Sequence, residues 1–246
     1  MSERALPFRD QVALVTGASG GIGGAIVLAL LEGGATVHAL GRDLERLAHL
    51  RQRASDAPGT LATHRTELTR DSELAERVRE LSLGGNRLDV LVHCAGRISY
   101  GTIADSPIEQ LDQLYAANVR GPYLLTQLCM PLLVSSQGQV VFINSSAGLS
   151  ASAGVGAYAA TKHALKALAD ALRDEVNASG IRVLSVFPGR TATALMVERY
   201  ALDGRAYHPE LLLQPEDIAS MVLASLGLPR TAELTNINIR PMQKSY

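Results

Sequence analysis

Gln11-Val12-Ala13-Leu14-Val15-Thr16-Gly17-Ala18-Ser19-Gly20-Gly21-Ile22-Gly23 is the stretch on which the fold turns. Its first five residues form a short apolar run, the signature of a parallel strand buried on both faces. Four glycines follow, and then Gly24 to Leu31 is apolar and rich in Ala and Leu, a helix stopped by Gly33-Gly34. Strand, glycine turn and helix together make a phosphate cradle. Glycines let the backbone approach a pyrophosphate, and the helix N-terminus offers N–H donors and a positive dipole. Gly17, Ser19, Gly21, Ile22 and Gly23 are therefore candidate cofactor-binding residues, with Ser19 a further phosphate donor. A glycine turn that binds nothing is the bland alternative. Gly17-Ala18-Ser19-Gly20-Gly21 also fits the G-x-S-x-G elbow of hydrolases, but the downstream acid and histidine lack matching context.

Ala35 to Leu40 completes a βαβ unit. An NAD site offers a carboxylate to the ribose 2′-hydroxyl at the end of this second strand. Here the chain reads Gly41-Arg42, and an arginine binds a 2′-phosphate through a charged fork. The expected cofactor is thus NADP(H). Asp43, one residue later, is expected to cap a helix over Leu44 to Arg53.

A weak strand over Leu61 to Thr66 precedes a helix from Asp71 to about Ser82, capped by Thr69, with a solvated charged face. Leu88 to His93 reads as a central strand ending at Cys94-Ala95-Gly96, small residues that let a cofactor pass close. His93 and Cys94 are adjacent on a strand and point to opposite faces, which argues against a shared metal. Ser106-Pro107 opens a long helix to about Leu133, with a kink expected at Gly121-Pro122. Asn118 stands just before it on the apolar side. It is either a satisfied core asparagine or an amide that fixes a water or a lysine.

Gln139 to Ile143 is a buried strand, with Ser145 just past its carboxyl end. Tyr158 and Lys162 start a long Ala-rich helix and lie one turn apart on one face. A free phenol with pKa about 10 is a poor acid or base at neutral pH. A lysine ammonium beside it is expected to lower that pKa, so that the phenol exchanges a proton near pH 7. A serine hydroxyl nearby can hold a carbonyl or alcohol oxygen. Ile181 to Phe187 is another strand, followed by Pro188-Gly189-Arg190-Thr191-Ala192-Thr193, where ligands sit in such sheets. Thr191 and Thr193 can bond a carboxamide. Residues from about 193 to 213 read as a mobile substrate lid, Pro215 to Leu226 as the last helix, and Leu234 to Ile239 as the last strand.

The chain has 246 residues, which suits one domain over 1–246. With 47% hydrophobic and 19% charged residues it can bury a large core. A net charge of -1 gives no electrostatic case for nucleic acid or an anionic membrane. Cys94 and Cys129 lack metal spacing and read as reduced thiols. The polar start from Met1 to Asp10 is unlike a signal peptide, and no apolar run has the ~18 residues that span a bilayer. A cytoplasmic protein with no metal is the expectation.

These residues together resemble the short-chain dehydrogenase/reductases over essentially the whole chain. The matching elements are Thr16-Gly17-x-x-x-Gly21-Ile22-Gly23, Ala95-Gly96, Asn118, Ser145, Tyr158-x-x-x-Lys162 and Pro188-Gly189-x-x-x-Thr193. The resemblance implies an α/β Rossmann fold, a doubly wound sheet of seven parallel strands in the order 3-2-1-4-5-6-7, with three helices on each face. It implies Tyr158 as proton donor or acceptor, Lys162 as the residue that holds the nicotinamide ribose, Ser145 as the one that positions the substrate oxygen, and Asn118 as the holder of a relay water. It selects Ser145, thirteen residues before the tyrosine, over Ser146. Where family members often carry two asparagines, this chain has His93 and Cys94. An aspartate that usually meets the adenine amino group is replaced by Glu67, followed by Leu68. The ending Asn236 to Met242 is similar to small-molecule carbonyl reductases and hydroxy-acid dehydrogenases.

The expected function is NADP(H)-dependent hydride transfer between the nicotinamide and a ketone or secondary alcohol. The alternative is a regulator that binds NADP(H) and turns nothing over. The substrate pocket is expected from Arg97 to Gly101, Ala147 to Ala153 and the lid, with Tyr100, Met196 and Tyr200 as its larger surfaces. Mostly small and apolar, it suits an uncharged substrate, while Arg97 or Arg190 would suit a carboxylate. A homodimer or homotetramer through helices near 107–134 and 157–178 is expected, with Ala157, Ala160, Ala164, Ala167 and Ala171 allowing close approach.

Overall fold

The computed structural model describes residues 6–243. Seven strands form one parallel sheet: β1 (Val12–Thr16), β2 (Thr36–Gly41), β3 (Thr60–Arg65), β4 (Val90–His93), β5 (Gln139–Ile143), β6 (Arg182–Pro188) and β7 (Asn236–Ile239). Their order is β3-β2-β1-β4-β5-β6-β7, as the resemblance implied. The central strands are apolar along most of their length because both of their faces are covered, with polar residues such as Thr16, His93, Gln139 and Ser185 as exceptions. Alternate residues go to opposite layers. Ala13, Val15, Val90, Val92, Val141, Ile143, Leu184 and Val186 enter one core. Leu14, Leu91, Val140, Phe142 and Val183 enter the other.

The first core is closed by α1 (Gly21–Glu32), α2 (Leu44–Arg53) and α8 (Pro215–Leu226). The second is closed by α3 (Asp71–Leu83), α5 (Gly121–Ser136) and α6 (Gly156–Val176). Each fully buried Leu, Ile or Val stabilises the fold by about 1.5–3 kcal/mol, so the two layers rather than any single contact hold the sheet flat against its helices. Two shorter helices, α4 (Ile108–Tyr115) and α7 (Ala194–Leu202), lie outside this frame.

Local chemistry sets the boundaries. Asp43 caps α2, its Oδ1 accepting from Arg46 N at 3.0 Å, as expected. Gln214 and Asp217 make a capping box at α8. Thr69 does not cap α3: the N-cap is Arg70 and makes no side-chain cap bond. Pro107 is itself the N-cap of α4, and Ser106 turns back to donate to Thr102 O at 2.6 Å. The kink expected at Gly121-Pro122 is instead a π-helical segment, Ala116–Arg120, between α4 and α5. The cause is Pro122. It has no N–H to give the carbonyl of Asn118 four residues back, and a wider turn absorbs the mismatch. The stretch read as a mobile lid contains a regular helix, α7, whose scattered apolar residues concealed its period.

Candidate active site

All seven strands run the same way, so their carboxyl ends share one edge. There an elongated crevice of about 470 Å³ crosses the sheet. It lies where the chain order reverses between β1 and β4, the usual ligand position in such sheets. Two approaches close its floor. Gly17 has φ of 67°, and a Cβ there would stand 2.7 Å from the backbone of Ala95. A Cβ on Gly23 would stand 2.3 Å from the carbonyl oxygen of Gly17. Only glycine permits both.

The crevice gathers the expected cofactor residues: Gly17, Ser19, Gly21, Ile22, Gly23, Arg42, Glu67, Leu68, Cys94, Ala95, Gly96, Pro188, Gly189, Thr191 and Thr193 all line it. At one end Arg42 lies 3.6 Å from Glu67 Oε2, an exposed pair that leaves the guanidinium accessible. Arg46, one turn into α2, joins Arg42 there and was not anticipated. The donor set fits a dinucleotide that carries a further phosphate: bare glycine backbone at the α1 N-terminus, then a cation beyond β2 where a carboxylate would repel it.

At the other end Ser145, Tyr158 and Lys162 converge, carried by β5 and the first two turns of α6. Ser145 Oγ accepts from Ala147 N at 3.1 Å, which leaves its own proton free to donate. It lies beside the Tyr158 phenol and eases its ionisation by hydrogen bonding, yet burial is the larger influence, and the nearby Tyr100 adds to it. The phenol is therefore harder to ionise than in water. This corrects the expectation that Lys162 makes it acidic. Lys162 Nζ is 5.8 Å from the Tyr158 ring centroid and donates to Ile143 O at 3.2 Å. Burial lowers its own pKa to about 8.

Asn118, within the π-helical segment, is buried. Its Oδ1 accepts from Arg97 N at 2.7 Å, and its Nδ2 donates to Arg97 O at 2.9 Å and Thr161 Oγ1 at 3.0 Å. The amide is thus fully engaged, as in the satisfied-core reading, and does not reach Lys162. Pro122, which has no N–H, leaves the Asn118 main-chain carbonyl without the usual helical donor four residues on.

Two further positioning residues escaped the sequence reading. Thr16 Oγ1 accepts from Cys94 N at 3.1 Å and Ala95 N at 3.2 Å, and donates to Val92 O at 3.3 Å, pinning the end of β4 onto β1. Asn144 Nδ2 donates to Lys162 O at 3.1 Å while its Oδ1 accepts from Ser145 N at 2.9 Å. One amide thus ties the serine to the lysine turn. The Thr-Gly pair and the polar residue before Ser145 were visible, but nothing in their spacing announced these bonds.

His93 and Cys94 do diverge. His93 stacks on Phe142 with centroids 4.8 Å apart, and Cys94 faces the crevice. Among the described residues no three His, Cys, Asp or Glu side chains gather to hold a metal. Nor is any described helix long and apolar enough to cross a membrane. Of the expected pocket surfaces, Arg97, Ile98 and Met196 line the crevice; Tyr100 and residues 147–153 do not, and Tyr200 is buried and packs edge-on to Tyr207.

Comparison with known proteins agrees with this geometry. A family model described as short chain dehydrogenase matches residues 11–202. An uncharacterised oxidoreductase of Staphylococcus aureus (strain USA300) is 31% identical over 238 residues, 95% of this chain and 98% of that protein. A metagenomic short-chain oxidoreductase solved in complex with NADP superposes with a TM-score of 0.84 at 29% identity, covering 97% of this chain and 100% of the other. The closed form of a serine dehydrogenase complexed with NADP+ gives 0.86 at 27% identity, covering 96% and 97%. With the sheet order, the glycine turn and the Ser145, Tyr158 and Lys162 cluster already in place, these matches make the chain a member of the short-chain dehydrogenase family.

Proposed function

We propose that this protein is an NADP(H)-dependent oxidoreductase acting on a ketone or secondary alcohol, with Tyr158 as general acid and base. The observation that carries the reading is one continuous crevice with Arg42 at one end and Ser145, Tyr158 and Lys162 at the other. The NADP named in the solved relatives supports the same cofactor here. When bound, NADP(H) supplies or accepts the hydride at its nicotinamide.

The chain's own residues do the rest. Gly17 to Gly23 and the α1 N-terminus bind the pyrophosphate, Arg42 with Arg46 the 2′-phosphate, and Glu67 and Leu68 flank the adenine. Thr191 and Thr193 with Pro188-Gly189 hold the carboxamide side, and Cys94 to Gly96 form the floor. Ser145 donates to the substrate oxygen through the proton that Ala147 leaves free. Tyr158, kept protonated by burial, holds the proton that a reduced carbonyl oxygen must receive. Lys162 fixes the ribose and, through the Asn118 carbonyl and a water, resupplies that proton. Residues 193–213 close over the substrate, and exposed faces of α4, α5 and α6 pair copies of the chain.

The test is to follow NADPH absorbance against a panel of ketones, with Tyr158→Phe as control. Turnover that this change leaves intact overturns the mechanism. NADPH binding without turnover of any ketone would favour a non-catalytic regulator.

A further inference from the structure

Resting on the oxidoreductase reading, we infer that the substrate carries a carboxylate near its reacting carbon, a keto acid or hydroxy acid, and that Arg97 and Tyr100 on the loop after β4 bind it.

The first observation is Arg97. It lines the crevice beside Gly96 and Ile98 and is exposed. Its hydrogen bonds run through its backbone, to Asn118. Its guanidinium has no hydrogen bond or ion pair among the described residues. Elsewhere Arg120, Arg173 and Arg199 each meet an aspartate. What sets Arg97 apart is its place: it stands on the crevice wall, on a loop whose backbone Asn118 holds from both sides.

The second is the sign of the charge around the reacting groups. Among the described residues that line the crevice, Glu67 is the one carboxylate, and it sits past β3 against Arg42. The charged residues nearer Ser145 and Tyr158 are Arg97, Lys162 and Arg190, all basic. Strands β4 and β6 flank β5, so Arg97 and Arg190 come from either side of Ser145.

The third is Tyr100. Its hydroxyl is buried and has no hydrogen-bond partner. Buried polar groups are nearly always met, so an orphan marks a missing ligand or water. The phenol is close enough to Tyr158 to oppose its ionisation. It is also held in place: Arg199 of α7 lies over its ring, 4.4 Å from the centroid, and is itself paired with Asp203 at 2.8 Å. Neither Tyr100 nor Glu198, an exposed acid near it, lines the crevice, so the phenol meets a ligand only when its loop shifts toward Arg97. A carboxylate accepts a guanidinium fork on its two oxygens and keeps lone pairs for a phenol donor. A neutral ketone would leave Arg97 without a charged partner.

The experiment compares 2-oxobutanoate and 3-oxobutanoate with their methyl esters, using purified enzyme and NADPH. At least one acid should exceed its ester by about 10-fold or more in kcat/KM, the range of a charge-assisted bond. Arg97→Gln should collapse that preference, mainly through the KM of the acid, and Arg97→Lys should restore part of it. Tyr100→Phe should reduce it about 3- to 10-fold, as loss of one hydrogen bond does. Esters used as well as acids, or a preference unmoved by Arg97→Gln, overturns this assignment and leaves the oxidoreductase reading standing. Turnover of neither acids nor esters, with NADPH bound, overturns both. The wild-type comparison needs no variant, so a misfolded Arg97→Gln would not spare the idea.

Discussion

Asn118 grips the peptide of Arg97 from both sides, accepting from its N–H at 2.7 Å and donating to its carbonyl at 2.9 Å. A third bond, from Nδ2 to Thr161 Oγ1, ties the same amide to α6. Asn118→Ala leaves several buried groups unmet, at about 1–3 kcal/mol each before relaxation. Unfolding free energy should fall by roughly 2–4 kcal/mol, a drop in Tm of about 5–15 °C. A thermal melt within a degree of wild type would show that water replaces the amide at no cost.

Ser145 and Ser146 are neighbours with different surroundings. Ser145 Oγ is aligned by Ala147 N, whereas Ser146 is exposed. Ser145→Ala should lower kcat by about 100-fold or more, in the range seen when one oxyanion donor is removed. Ser146→Ala should change it less than about 3-fold by the same comparison. Steady-state kinetics on one ketone decides the matter, and equal losses would refute the assignment.

His93 supplies a pH prediction. Burial lowers its pKa to about 3, from 6.5. The unfolded chain therefore binds a proton that the folded chain refuses between those values, and the stability His93 contributes falls as pH drops below 6.5. The slope is about 1.4 kcal/mol per pH unit from this one group. In urea titrations from pH 7 to 4.5, His93→Asn should lose stability less steeply than wild type. Parallel curves would sink the claim.

Arg42 carries the cofactor prediction. Its pairing with Glu67 is long and exposed, a contact of little value to the fold. Arg42→Ala should leave Tm within about 1–2 °C while raising the KM for NADPH about 10-fold or more, the loss expected for a charged fork on phosphate. The KM for NADH should not rise. Equal effects on both cofactors would place the 2′-phosphate elsewhere.

The sheet was legible because burial on both faces leaves apolar runs such as the Val12 to Val15 part of β1 and the Val140 to Ile143 part of β5, and because glycine turns mark their ends. Helix α2 was readable to the residue, since Asp43 caps it through a local bond. The positions of Tyr158 and Lys162 followed from helical spacing alone. Their electrostatics did not. Whether a lysine acidifies a phenol depends on the direction of Nζ and on burial, and here the ammonium turns to Ile143. Thr16 and Asn144 were hidden because their partners lie across the sheet or on another element, beyond any local pattern. Helix α7 was missed because it packs on few neighbours and its exposed Leu195, Val197 and Leu202 blur its polar face.

The wide turn at Ala116–Arg120 has a structural consequence of its own. One surplus residue in an ordinary helix would rotate everything beyond it by about 100°. Here the surplus is taken up locally, so the two halves of one rod keep independent phases. The half ending at Tyr115 is free to follow α6, and the half starting at Gly121 is free to seat Leu125, Cys129 and Leu132 in the core. Removing a residue from this turn would force both halves into a single phase, and either the packing beneath or the alignment of Asn118 above would have to give way.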